Sequence, residues 1–200
     1  MKIKTPLFLI IAVSFFCACT STKMDTQKLG GYNEKIESLV VSTLFSEYFE
    51  KASSSFITGM ESQLETEGIL VEYYPYPEIK NDSLDPKIQT EIILNRILMK
   101  GLEFETSHAL FLIDTERKVE SMSFGTTTNT TKTHSLRGLL IDINKELVVW
   151  QADIKLKSGD LGNSNQSGTS LAKNTIDQLR EDNFLKPAGY TITKKSEKSP

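Results

Sequence analysis

Apolar and polar positions alternate over residues 136–156, which predicts two strands joined by a tight turn at Asn144-Lys145. Leu139, Ile141 and Ile143 share one face of the first strand, because successive side chains point to opposite faces. The second strand has an apolar face throughout, formed by Val148, Trp150, Ala152, Ile154 and Leu156. A helix cannot use this pattern, since an apolar residue at every second position winds around its whole circumference. We therefore expect this hairpin, including Trp150, in the core.

The rest of the chain predicts three helices and further strands around this hairpin. Apolar residues recur about every fourth position in three segments, which places helices at residues 46–67, at residues 85–101 and from Ser167 or Thr169 onward. Short runs rich in β-branched or apolar residues predict strands at residues 36–44, 69–76 and 109–113. The order is β-α-β-α-β-β-β-α, so we predict an α/β (α+β) fold in which helices pack on a mixed sheet.

Three features predict where these elements end. Gly68 suits a left-handed cap of the first helix. Asp85-Pro86 suits the start of the second helix, and Gly101 suits its end. Residues 114–124 alternate and lead to the threonine-rich residues 125–133, which we expect at the tip of a long hairpin.

The first nineteen residues resemble a bacterial lipoprotein leader. Two lysines form a charged start, and residues 7–16 are an apolar run of signal-peptide length that is short for a bilayer span. Ala18 and Cys19 then match the lipobox, in which the cysteine is cleaved at its amino side and acylated. We therefore predict that Cys19 carries a lipid that anchors the protein to a membrane. Thr20 stands where inner-membrane lipoproteins tend to have Asp, which favours the outer membrane, with the protein facing the periplasm.

The sequence predicts four parts. These are a lipoprotein signal peptide at residues 1–18, a flexible tether at 19–34, a single α/β domain at 35–186 and a polar C-terminal tail at 187–200. The net charge of −3 argues against a nucleic-acid partner, which needs a basic surface. No stretch after the leader is apolar for about 18 residues, so we expect no further membrane-spanning segment.

The candidates for catalysis are weak. Ser170 and Lys173 match S-x-x-K, but the S-D-N and K-T-G elements that accompany it in penicillin-recognising enzymes are missing. His108 and His134 have no metal-ligand spacing, so we expect no metal or other cofactor, with His108 at a strand entry and His134 on the surface. Four acids could approach each other across neighbouring strands, as glycosidase carboxylates must: Asp114, Glu116, Asp142 and Asp153. Acids at strand ends are usually solvated. We therefore expect no catalytic residue.

Three tyrosines in the segment YYPYP, namely Tyr73, Tyr74 and Tyr76, are the candidate partner-binding residues. Tyrosine brings a large contact area at a small cost in entropy and is enriched in interfaces. The alternative is that Tyr74 and Tyr76 pack on the core while the prolines protect a sheet edge. No small-molecule ligand is evident, so the expected partner is an envelope protein of unknown identity.

The chain resembles the anticodon-binding-like α/β domain of envelope lipoproteins. That group includes the curli secretion channel subunit, the amino-terminal domain of the Tol translocation protein and the lipoprotein activators of penicillin-binding proteins. The residues that carry the resemblance are Cys19, the strand-to-helix opening at residues 36–44, Asp142, Val149-Trp150, and the later Leu171, Ala172, Ile176 and Leu179. The resemblance implies roles in binding and assembly without catalysis.

Three hypotheses about function follow from the sequence. The first is a lipid-anchored, non-enzymatic interaction or assembly module of the cell envelope. The second is a subunit of an outer-membrane secretion pore in which residues 119–141 supply a membrane hairpin, although the charged residues 116–118 make a poor lipid face. The third, an envelope hydrolase, depends on Ser170 alone.

Overall fold

The computed structural model describes residues 20–46, 49–75, 86–124, 127–159 and 164–187. These residues form six strands and three helices. In chain order they are β1 (Ser21–Lys28), β2 (Ser38–Leu44), α1 (Glu50–Glu65), β3 (Leu70–Tyr73), α2 (Pro86–Glu103), β4 (His108–Phe124), β5 (Thr127–Asp142), β6 (Leu147–Gly159) and α3 (Ser164–Glu181). The mixed sheet with packed helices is confirmed.

All six strands belong to one sheet, in the order β1-β6-β5-β4-β2-β3. The segments β2-α1-β3 and β3-α2-β4 connect parallel strands, and β4, β5 and β6 form an antiparallel meander. The predicted hairpin at residues 136–156 is confirmed, and its first strand pairs with the buried start of β4. The prediction that Val148 shares the buried face of Trp150 is wrong: the register shifts between Leu140 and Ile141, so Val149 is buried beside Trp150 and Val148 is exposed. The two edges of the sheet are therefore β1 and β3.

The helices cover the sheet unequally. Helices α1 and α3 pack on each other and on one face, where they bury Trp150. Gly168 allows this close packing, because a Cβ at that position would lie 2.2 Å from the backbone oxygen of Ala52 in α1. Helix α2 covers β2 and β4 on the other face through Ile93 and Ile97. The remainder of that face, on β5, β6 and β1, carries exposed charged side chains.

Two local signals in the sequence are confirmed by the backbone. Gly68 adopts φ 77° after α1. Its N–H bonds to the carbonyl of Glu65, and the N–H of Ile69 bonds to the carbonyl of Leu64, which is the Schellman pattern of a helix end. Strands β4 and β5 form the long hairpin, which is interrupted by a bulge at Thr115.

The prediction of a flexible tether at residues 19–34 is wrong over Ser21–Lys28. These residues form β1, which pairs antiparallel with β6 along its whole length. Only Met24 is apolar within β1, so the local sequence gives little strand signal, and the partner strand determines the conformation. The order of elements therefore gains one strand at its start.

Two predicted helix ends also differ from the structure. Helix α2 continues past Gly101 to Glu103, and a Cβ on Gly101 would lie 2.5 Å from the side chain of Ile143. This glycine therefore serves packing rather than helix termination. Helix α3 begins at Ser164, ahead of both predicted caps. Cys19, Tyr76, the Asp85 cap, the leader at residues 1–18 and the tail after residue 187 lie outside the described residues.

Candidate functional site

Exposed apolar side chains lie on both sides of the edge strand β3: Leu70 faces the α2 side of the sheet and Tyr73 the α1 side, because they are three positions apart. Strand β3 pairs only with β2 and leaves its outer backbone groups unpaired within the sheet. Leu70 and Tyr73 of this strand are 55% and 39% exposed, and Met99 of the adjacent α2 is 66% exposed. Large apolar side chains this exposed at a sheet edge are typical of a contact surface.

Tyr74 takes a different position from Tyr73. It follows β3, is half-buried against the core beneath α2, and its N–H bonds to the carbonyl of Val41 at 3.0 Å. Its ring lies in a groove of about 320 Å³ that Arg96, Met99 and Lys100 also line. The structure thus places Tyr73 and Tyr74 at adjacent positions of the edge, while Tyr76 lies outside the described residues.

Positive charge accompanies the apolar surface of this groove. The Nζ atom of Lys100 lies 5.5 Å from the centroid of the Tyr74 ring. Its hydrogen bond to Glu103, 2.5 Å long, raises the pKa of Lys100, so the amine stays protonated at neutral pH. Together with the exposed Arg96, this favours a ligand segment that combines an apolar side chain with an acidic group.

A buried polar cluster at the opposite end of the sheet from the β4-β5 hairpin tip was not predicted. The Tyr32 hydroxyl donates to Asp142 Oδ2 at 2.8 Å and lies 2.8 Å from His108 Nε2. Asp142 Oδ1 accepts from the backbone N–H of Lys145 at 3.0 Å, and Lys145 Nζ lies 3.3 Å from Asp142 Oδ2. Glu34 pairs with the same Nζ atom. Tyr32 precedes the first predicted strand, so no sequence pattern connected it with the other two residues.

The Ser107 hydroxyl, beside the cluster, is surrounded by hydrogen-bond partners. The Ser107 hydroxyl lies 2.8 Å from the carbonyl of Ser38 and 2.9 Å from His108 Nδ1, and its one proton can be donated to only one of them. It also accepts hydrogen bonds from the backbone N–H groups of Glu37 and Ser38. The prediction that His108 opens a strand is confirmed, since it is the first residue of β4.

Protonation states in the cluster follow from burial and from these bonds. Burial, reinforced by the bond to Asp142, raises the pKa of Tyr32. Burial alone would raise the pKa of Asp142, but the hydrogen bonds from Tyr32 and Lys145 outweigh it and hold this pKa below its usual value. Burial lowers the pKa of His108 despite the nearby Asp142. At neutral pH the cluster thus holds one carboxylate, a neutral imidazole and a neutral phenol.

The prediction that His134 lies on the surface is wrong. It is buried, its ring centroid lies 4.6 Å from that of Phe49, and its Nδ1 atom lies 3.8 Å from Asp114 Oδ2. Asp114 also accepts a hydrogen bond of 2.6 Å from Ser46. Burial would raise the pKa of Asp114, but the His134 imidazole and the Ser46 hydroxyl lower it below its usual value.

The four candidate acids do not assemble into a carboxylate pair. Asp114 lies opposite Leu136 and Asp142 opposite His108, so they are separated by six positions of β5, or about 20 Å. The remaining two acids are exposed and paired with cations: Glu116 lies 3.4 Å from Lys118, and Asp153 lies 3.2 Å from Arg137. Glycosidase carboxylates are closer than about 10 Å.

The S-x-x-K match is not arranged as a catalytic pair. The Ser170 hydroxyl lies 3.2 Å from the Thr22 hydroxyl and 3.3 Å from the Asn174 amide. Lys173 is exposed and bonds to Asp177 at 3.1 Å. Among the described residues, no group of three or more His, Cys, Asp or Glu side chains is placed to hold a metal ion. No helix in the same residues is both long and apolar enough to cross a membrane.

Comparisons with known proteins find likeness of fold at low sequence identity. No protein-family model and no curated protein matches the chain. Among solved structures, it is similar to a PelC dodecamer from Paraburkholderia phytofirmans, with 13% identity and a TM-score of 0.48 over 78% of this chain and 97% of that chain. It is also similar to lipoprotein GNA1162 from Neisseria meningitidis, with 15% identity and a TM-score of 0.41 over 72% of this chain and 98% of that chain. These values identify no partner, and the resemblance to the curli, Tol and activator lipoproteins stays a prediction.

Proposed function

We propose that the protein is a lipid-anchored module of the bacterial cell envelope that faces the periplasm, binds another protein and catalyses no reaction. The anchor would be Cys19, which follows an apolar leader and matches the lipobox. Thr20 at the next position favours the outer membrane. Catalysis finds no support in the candidate groups, because Ser107, Ser170 and Lys173 each have partners that occupy them.

The observation that carries this proposal is the β3 edge of the sheet, because among the described residues β3 pairs with β2 alone. Leu70 and Met99 expose apolar side chains on the α2 side of this edge, and Tyr73 exposes its ring on the α1 side. An extended segment of a partner can add to such an edge by backbone hydrogen bonds, while its side chains fill neighbouring pockets. The edge is only four residues long, so side-chain contacts must supply most of the affinity.

The groove beside the edge indicates the chemistry of the partner. Arg96 and Lys100 flank an apolar floor made by Tyr74 and Met99. A segment with one apolar anchor and one acidic side chain fits both features, since opposite charge steers the encounter and fixes the register. We therefore infer that the partner presents an extended, acidic segment from another envelope protein.

Photo-crosslinking in living cells tests the site. A photoreactive amino acid replaces Tyr73 or Met99 in separate strains, and a matched strain carries it at Leu147, which is 42% exposed but lies at the β5-β6 turn. We expect one shared adduct from positions 73 and 99 and none from 147. Equal labelling at all three positions, or none at the first two, would contradict binding at this edge.

The anchor is tested separately by fractionation. Cys19→Ala should move the protein out of the membrane fraction, because the variant lacks the lipid. Each methylene group of such a lipid that is buried in the bilayer contributes about 0.8 kcal/mol to the free energy of membrane binding. Tyr73→Lys is the control, since it changes the edge and leaves the anchor intact. An unchanged membrane fraction for Cys19→Ala would reject the lipid anchor without bearing on the edge.

A further inference from the structure

The register of the sheet fixes where the anchor lies relative to the β4-β5 hairpin. Ser21 of β1 is opposite Lys157 of β6, which is opposite Thr133 of β5, which in turn is opposite Lys118 of β4. These four residues form one row across the sheet. Strands β1 and β4 run in opposite directions, because three antiparallel pairings separate them. The residues that precede Ser21 and the residues that follow Lys118 therefore leave the row on the same side. The anchor cysteine and the hairpin tip therefore belong to the same end of the protein.

The hairpin extends farther than the anchor. Strand β4 continues six residues past the row, from Lys118 to Phe124, which spans about 20 Å. Cys19 precedes Ser21 by two residues and can lie at most about 7 Å beyond the row. Measured along the strands, the tip thus projects about 13 Å past Cys19. The polar headgroup layer of a leaflet is about 5–8 Å deep, so the strands must tilt from the membrane normal for the tip to stay within this layer.

The composition of the tip suits the headgroup layer. Residues 121–131 contain no charged side chain, and the run is bounded by Glu120 and Lys132. Met122 is 63% exposed, and no packing within the described residues explains an apolar side chain at that place. Two pairs of hydroxyls face each other across the strands, Ser121 with Thr130 at 3.4 Å and Ser123 with Thr128 at 3.1 Å. Hydroxyls that bond to each other cost less to move out of bulk water.

Basic residues lie where the headgroups of anionic lipids would be. Lys157 belongs to the row itself, Lys132 lies one position beyond it, and Lys23 and Lys155 face each other two positions behind it. A cleft of about 130 Å³ near the row is lined by Arg117, Lys132 and His134 together with three serines. Each cation close to an anionic leaflet strengthens binding, and the effect fades within a Debye length.

We propose that this end of the domain is a second membrane contact, which rests on the proposed anchor at Cys19. The hairpin tip, described at residues 121–124 and 127–131, enters the lipid headgroup layer. The lysines behind it, chiefly Lys132 and Lys157, bind phosphate groups of anionic lipids. The anchor and the tip together hold the strands tilted from the membrane normal and set the orientation of the domain.

Depth measurement in vesicles tests the contact. The chain has two cysteines, and the proposed maturation removes Cys17 and acylates Cys19, so an introduced cysteine is the single free thiol. An environment-sensitive fluorophore is placed at Ser123→Cys in the acylated protein, or at Asn144→Cys in the turn at the opposite end, as the matched control. The protein is reconstituted in vesicles of phosphatidylcholine with phosphatidylglycerol, and quenching by lipid-borne nitroxides is compared with quenching by iodide.

The outcomes separate the contact from the anchor. We expect the label at position 123 to be quenched by lipid and protected from iodide, and the label at 144 to show the reverse. Flotation with the vesicles but full access of iodide to both labels would overturn the contact while leaving the anchor standing. Failure to float would reject the anchor instead. Lipid quenching of both labels would overturn the tip contact, because the domain would then lie flat on the membrane. Protection of the label at position 123 in native envelopes but not in vesicles would also overturn it, because the tip would then contact a protein and not lipid.

A charge variant tests the lipid chemistry. Lys132→Gln together with Lys157→Gln should weaken the tip contact about 30-fold in vesicles that contain phosphatidylglycerol, since each lysine near an anionic surface is worth about fivefold. The control is Lys35→Gln with Lys186→Gln, which removes the same charge at the opposite end. A similar loss in both variants, or an equal contact in pure phosphatidylcholine, would contradict binding of anionic headgroups.

Discussion

Removal of one hydroxyl should reveal how much the Tyr32 cluster contributes to stability. Tyr32→Phe keeps the buried ring, which stacks at 5.7 Å against Phe184, but removes the atom that bonds to both His108 and Asp142. A hydrogen bond to a charged group contributes about 1.5–3 kcal/mol net, and a neutral one about 0.5–1.5 kcal/mol. Asp142 keeps two contacts with Lys145, so the lower half of the combined range applies. We expect a loss of about 2–3 kcal/mol.

The loss should be easy to measure and should depend on pH. Trp150 is the single tryptophan and is buried, so its fluorescence reports urea unfolding. The folded state holds the pKa of Asp142 below its usual value, so its contribution is present above the unfolded pKa of about 3.9 and is lost as pH falls through the folded value. The difference between Tyr32→Phe and the parent should therefore shrink at acid pH.

The control for this experiment is an exposed tyrosine. Tyr73→Phe removes a hydroxyl for which no hydrogen bond is seen in the described residues, and it should change the free energy of unfolding by less than about 0.5 kcal/mol. A Tyr32→Phe variant within the same limit at pH 7 would refute the reasoning. So would a loss that stays constant down to pH values at which aspartate is protonated.

Two further predictions concern packing and titration. Gly168→Ala should destabilise the protein by about 1–3 kcal/mol in urea unfolding, because its Cβ would overlap the backbone oxygen of Ala52 and α1 must shift. Gly30→Ala is the control, as nothing lies within 4 Å of its Cβ, and equal stability of the two variants would contradict the prediction. The His108 imidazole should titrate in NMR spectra below pH 6.5, because burial lowers its pKa. Its contribution to the free energy of unfolding should fall as the pH drops through 6.5 toward the pKa of the folded state. A titration midpoint above 6.5 would contradict this prediction.

The sequence predicted the centre of the sheet better than its edges. The β5-β6 hairpin is confirmed because apolar residues recur at every second position along much of both strands. Strand β1 was missed because its alternation is mostly of polar residues, with only Met24 to mark the inner face. Its facing residues even include like charges, Lys23 opposite Lys155 and Asp25 opposite Asp153, which disfavour pairing locally. The register supplied by β6 overrides these local preferences.

The candidate sites show the same division between local and tertiary information. Tyr73 and Tyr74 could be named from composition, and their placement at a sheet edge agrees with the prolines that follow β3. The contact of Tyr32 with His108 and Asp142 joins residues that are far apart in the chain, and no spacing rule connects them. The burial of His134 also depends on Phe49 from another element.

The short link between the proposed anchor at Cys19 and the sheet gives a last prediction. Since β1 begins at Ser21, Thr20 is the only residue between Cys19 and the sheet, and the tip is held at a high effective concentration near the membrane. The β3 edge lies five strand spacings from β1, or about 24 Å, so the proposed anchor would leave the proposed partner-binding edge accessible. A flexible Gly/Ser insertion of about 20 residues after Thr20 lowers that effective concentration. It should reduce lipid quenching at position 123 and leave both flotation and the crosslink at Tyr73 unchanged. Unchanged quenching would show that the tip needs no help from the anchor, and loss of the crosslink would show that the edge depends on orientation at the membrane.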